Sequence, residues 1–92
     1  MSYGAKSVGT SATLIVNANS RRRVLLLTNN NDVGVCYLGP DGAVTTSSGT
    51  PLYENQTRGD TKDFGCWLGP VYGITDSDTG TVDIRFWEVE GN

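Results

Sequence analysis

The stretch Arg23-Val24-Leu25-Leu26-Leu27-Thr28, closed by Asn29-Asn30-Asn31-Asp32, decides how this chain folds. Four successive aliphatics fit a strand covered on both faces. The residues that end it are turn formers, because Asn and Asp tolerate positive φ and their side chains bond the local backbone. Together they predict a central strand, a tight turn, and a hairpin partner at Val33-Gly34-Val35-Cys36-Tyr37-Leu38 that closes at Gly39-Pro40-Asp41-Gly42.

Strand character recurs on both sides. Ser11 to Asn17 carries Leu14, Ile15 and Val16, and Ala43 to Thr46 predicts a short strand. A long polar connection follows from Ser47 to Lys62. Pro51 lacks a ladder donor, which places this stretch at an edge or corner, with Leu52 and Tyr53 plugging it into the core. Asp63 to Leu68, Val71 to Thr75 and Thr81 to Glu90 complete the set. In the last of these, Val82, Ile84 and Phe86 share one parity, whereas Trp87 and Val89 take the other, between polar Glu88 and Glu90. A β-bulge near Phe86 and Trp87 accounts for that slip, and so does an outer face covered at a subunit interface. Cys36-Tyr37-Leu38-Gly39-Pro40 also recurs as Cys66-Trp67-Leu68-Gly69-Pro70, which fits a duplicated unit or shared corner chemistry.

Composition agrees with this reading. The chain has 92 residues, 37% hydrophobic and 18% charged, with 12 glycines, too poor in helix formers for a bundle and too rich in aromatic and β-branched residues for a disordered tail. The expected fold is all-β: a single small antiparallel β-sandwich or jelly-roll-like barrel of about seven to eight short strands. Residues 1–9 read as an extended N-terminal arm and 10–92 as the sandwich domain. Strand order is open between a jelly roll and an immunoglobulin-like sandwich. No signal peptide or membrane-length apolar run is visible, so a soluble chain is expected.

A net charge of -3 argues against nucleic acid as the main partner. Arg21, Arg22 and Arg23 form the one basic cluster, which reads as a solvated strand start in preference to a contact for an acidic protein surface or a carbonyl-rich partner edge, with nucleic acid the least favoured reading. The absence of histidine removes the commonest general base and the serine triad, so no catalytic residue is assigned. Glu88 and Glu90 read as a solvated strand end in preference to an acid/base pair. Cys36 and Cys66 lack metal-ligand spacing and read as buried thiols in a reducing compartment or as one bridge. Asp76, Asp78 and Asp83 around Gly80 fit a hairpin turn, or a site for a hard cation such as calcium, although they depart from an EF-hand loop. No cofactor is expected. Trp67, Tyr72 and Trp87 fit core packing or a flat platform for sugar rings.

The succession Thr13-Leu14-Ile15-Val16, Arg23 to Asn30, Val35-Cys36-Tyr37-Leu38-Gly39, Val44 to Leu52 and Tyr72 to Val82 resembles the small β-sandwich virion proteins of tailed bacteriophages. These serve as capsid decoration or cement subunits, head fibres and appendage modules. The resemblance implies binding without catalysis, in a virion assembled in the host cytoplasm. It supplies no functional residue of its own. The expectation is a capsid decoration protein, a homotrimer whose partner is the major capsid protein or another virion protein, with no nucleic acid or membrane partner. Candidate contact residues are Tyr3, Lys6 and Val8 in the arm, Arg21, Arg22 and Arg23, and Trp87 and Val89 at the slipped strand end. The alternative is a carbohydrate-binding or receptor-facing appendage module using Trp67, Tyr72 and Trp87.

Overall fold

The computed structural model describes residues 2–59, 67–76, 78 and 80–91, and no helix occurs among them. Eight strands follow in order: β1 (Ser2–Val8), β2 (Thr13–Val16), β3 (Arg22–Asn29), β4 (Cys36–Gly39), β5 (Thr50–Leu52), β6 (Thr57–Gly59), β7 (Val71–Ile74) and β8 (Val82–Glu90). Pairing is nested and antiparallel: β1 with β8, β2 with β7, β3 with β6 and β4 with β5. The pairs β3–β8 and β4–β7 join these into two sheets, ordered β1-β8-β3-β6 and β2-β7-β4-β5. A ribbon that runs out through four strands, returns through four and wraps into two sheets is a jelly roll. The choice left open by the strand pattern is thereby resolved.

This wrapping corrects the expected hairpin. Every connection between successive strands except β4–β5 crosses from one sheet to the other, so β3 and β4 are not neighbours and Asn29 to Asp32 is an arch. The physical reason is Asn29, which is fully buried. Its Nδ2 donates to the carbonyls of Gly34 (2.9 Å) and Leu52 (3.1 Å), tying the end of β3 to the opposite sheet. The arch is also pinned to β8, because Asn31 Oδ1 accepts from the Asp83 N–H at 2.9 Å.

Val8, Ile15, Leu27, Cys36, Leu52 and Ile84 are among the fully buried core residues. A register shift between Leu14 and Val16 leaves Ile15 as the extra residue of β2, which lets Ile15 and Val16 both face the core. Pro51 lies in the edge strand β5, as its missing donor predicts, with Leu52 buried. Tyr53, however, is exposed. Ala43 to Thr46 forms no strand: a turn held by Thr45 and Ser48 brings Val44 into a buried position.

The expected N-terminal arm is an integral strand. Ser2 to Val8 pairs with Glu88 to Val82 residue for residue, and Val8 is sealed in the core opposite Val82. The strand β8 never slips phase. Val82 and Ile84 are buried, Phe86 packs on the core, and Glu88 continues the same inward parity and is buried too. The irregularity lies instead on β3, between Arg22 opposite Glu90 and Val24 opposite Val89.

Core tightness is testable at Gly73, where an added Cβ would lie 2.8 Å from both Cys36 Sγ and Ile15 Cδ1. Gly73→Ala is expected to cost about 1–3 kcal/mol of unfolding free energy in urea titration, the range typical of overpacking.

Candidate functional site

The bulge at Arg23 has a definite consequence. Strict alternation from buried Leu25 and Leu27 would put Arg23 inside and Arg22 outside, but the extra residue turns Arg22 inward and leaves Arg23 exposed. The Arg22 Nε donates to Glu88 Oε2 at 2.6 Å, with the two side chains only 3% and 7% exposed. Its Nη1 donates to the carbonyls of Trp67 and Gly69, both at 3.0 Å, and its Nη2 to the Asn17 carbonyl at 2.7 Å. Desolvating two charges costs several kcal/mol, which is offset only when geometry and hydrogen bonding are complete, as they are around this fork. Asn17 lies between β2 and β3, and Trp67 and Gly69 lie just before β7. One guanidinium therefore holds two sheet-crossing connections to β8, and the Asn19 N–H to Leu68 carbonyl bond (2.8 Å) ties them together again.

That clamp positions Trp67. Its carbonyl is held by Arg22, its Nε1 donates to the Pro70 carbonyl at 2.8 Å, and its ring lies so close to Gly69 that a Cβ there would clash with Trp67 Cζ2. The ring is 39% exposed and borders an open cleft of about 230 Å³, also lined by Leu38, Pro40, Thr50, Val71 and Arg58. Arg58 projects from the edge strand β6, opposite Leu27. Its Nε is buried with no hydrogen-bond partner.

A second surface is the outer face of the β1-β8-β3-β6 sheet. Tyr3, 82% exposed, stands directly opposite Trp87, 47% exposed, and Leu26 lies on the other side of Trp87. Val89 and Val24 form the next pair, both half-buried. Farther along, Arg85 pairs with Asp83 at 3.2 Å on the same face. The fold thus brings Tyr3, Trp87 and Val89 to one face, and exposed Lys6 lies nearby in β1 opposite Ile84.

Other expected contacts do not reach the surface. Val8 is core, and Arg22 is consumed inside the clamp, so the basic cluster shows solvent only Arg21 and Arg23. Trp67, Tyr72 and Trp87 do not form one platform either. Tyr72 alternates with buried Val71 and Gly73 and so faces outward from the β2-β7-β4-β5 sheet, while Trp87 faces outward from the other. Glu88, expected in solvent, is buried. The signal for it was in the sequence: carrying the Val82, Ile84, Phe86 alternation two residues further reaches Glu88. No comparable signal marked Arg58.

Cys36 is a free, buried thiol, so the alternative of a bridge between the two cysteines is not realised; Cys66 itself lies outside the described residues, and residues 67–70, the described part of the repeated pentapeptide, form a loop where the first copy forms β4. Burial pushes the Cys36 thiol up to about 12, against a smaller opposing effect of a backbone hydrogen bond at Ile74. Asp76 accepts the Gly80 N–H through its carbonyl at 3.2 Å, in a turn that uses Gly80 at φ 87°. Among the described residues no group of three or more His, Cys, Asp or Glu side chains could hold a metal ion.

No family model, curated protein or solved structure matches the chain.

Three outcomes are expected. Arg22→Lys keeps the charge but cannot reach one carboxylate and three carbonyls together, and should lower unfolding free energy by about 3 kcal/mol in urea titration. Cys36 should resist a thiol reagent at pH 8 in the native protein and react on unfolding, read by site-resolved mass spectrometry. Because folding raises its pKa, the unfolded thiol ionises first, so Cys36 contributes a loss of stability as pH rises from 9.0 toward about 12 that Cys36→Ser should remove.

Proposed function

We propose that this chain is a non-enzymatic structural subunit of a virion, of the capsid decoration type, which works by self-association and by binding a larger shell. The observation that carries this reading is the pairing of Tyr3, 82% exposed, with Trp87, 47% exposed, on a single outer sheet face. Tyr and Trp are the side chains most enriched at interface centres, and contiguous exposed apolar surface marks contact sites. Leu26, Val24 and Val89 extend the patch, and the Arg85–Asp83 pair gives it a polar rim. Beside it, β1 is seven residues long and stands at the edge of its sheet among the described residues, the position at which a further strand adds. Jelly rolls recur in viral capsid and lectin domains, which favours this class by analogy of fold. Trimer formation would bury the patch, and the partner would be the major capsid protein or another virion protein.

A second reading, a carbohydrate-binding module, is favoured by Trp67, whose fixed and partly exposed ring borders the cleft.

The chain carrying Tyr3→Ser and Trp87→Ser should sediment as monomers where the unaltered chain sediments as trimers, with an unchanged far-ultraviolet β-sheet signature, and should lose binding to mature capsids. Equal decoration by both chains would remove this face from the account.

A further inference from the structure

We propose that the cleft beside Trp67 binds a sugar residue bearing a carboxylate, with Arg58 as the carboxylate's partner. The inference rests on the carbohydrate reading above and names the ligand class for it.

The argument starts from charge. Among the described residues that line the cleft, Arg58 is the one that carries a charge; Leu38, Pro40, Thr50, Val71 and Trp67 are uncharged. Its Nε is buried without an acceptor, and its side chain makes no hydrogen bond or ion pair among the described residues. This contrasts with Arg22, whose guanidinium has four acceptors. A guanidinium with apolar neighbours and no counterion among the described residues favours an anion, since weak screening strengthens the attraction, and a planar carboxylate meets its fork through two parallel N–H groups. The remaining walls select what the carboxylate is attached to. Trp67 offers a partly exposed ring held from behind by Gly69 and Pro70, a surface on which the C–H face of a sugar can stack. Exposed Thr50 adds a hydroxyl at the rim. A volume of about 230 Å³ is below the usual range for drug-sized ligands and suits a single sugar ring.

Glucuronate and glucose differ at the carboxylate and are the natural probes. Each is titrated into the full chain at constant ionic strength while the indole N–H signal of Trp67 is followed by NMR, with acetate as a third arm. The expected result is saturable millimolar binding of glucuronate, weaker binding of glucose and no saturation by acetate. Arg58→Gln should weaken glucuronate at least about tenfold and leave glucose unchanged, with Arg58→Lys intermediate. Equal affinity for glucose and glucuronate would overturn the role of Arg58 while leaving the carbohydrate reading in place. Failure of both sugars would overturn both. Saturation by acetate at the same concentrations would leave an anion site without sugar selectivity and overturn the proposal. If Arg58→Gln lowers the thermal midpoint while glucuronate binding is unaltered, Arg58 serves the fold and not the ligand, and the proposal is overturned.

Discussion

The ion pair between Arg22 and Glu88 is the contact on which the architecture turns. A jelly roll of this size has short strands and long-range pairing, so its connections must be fixed by something other than local turn chemistry. At one end of the sandwich Arg22 does this from inside. It joins β3 to β8 through a carboxylate and takes in the carbonyls of two crossing connections through the rest of its fork. At the end of β3 where the chain crosses to β4, Asn29 plays a matching part, with Nδ2 shared between the Gly34 and Leu52 carbonyls. Thr75 supports that region too, donating from Oγ1 to the Val35 carbonyl. The apolar core lies between these polar plugs, and each plug satisfies backbone groups that a crossing loop would otherwise leave unpaired.

The same arrangement links stability to the proposed binding surfaces. Trp67 faces the cleft because its carbonyl is anchored to Arg22 and its indole to Pro70. Trp87 faces outward because it alternates with Phe86 and Glu88, which face in. A charged residue at the inward end of β8 thus fixes where its neighbouring aromatic points. Binding by rigid aromatics on a framework held in this way costs little conformational entropy, which suits the attachment role proposed for the chain.

The all-β class, the edge position of Pro51 and the burial of Leu52 were legible in local residue chemistry. The hairpin after β3 was not, because Asn29 to Asp32 carries the same letters in an arch as in a turn, and only the buried carboxamide of Asn29 distinguishes them. The arm was misjudged for a related reason. Ser2 to Val8 is small and polar because an edge strand meets the core only at Val8, and its ladder to β8 is made by backbone. The apparent phase slip in β8 was the most instructive element. Hydrophobicity was taken as the mark of the inward face, yet the inward residue was Glu88, buried with a partner 66 residues away. A pattern rule that treats every carboxylate as solvated cannot find such a pair. Of the binding surfaces, Trp87 was visible from the sequence, while Arg58 became a candidate only through its lack of an acceptor.

The claim that one buried ion pair organises the sandwich is tested most directly by a double-mutant cycle on Arg22→Met and Glu88→Leu, with unfolding free energies from urea titration. Each single change removes the ion-pair partner of a buried charge, so both should be costly, and the double variant should lose less than their sum by at least about 2 kcal/mol. Additivity within about 0.5 kcal/mol would mean that the two side chains act independently, and would contradict the account.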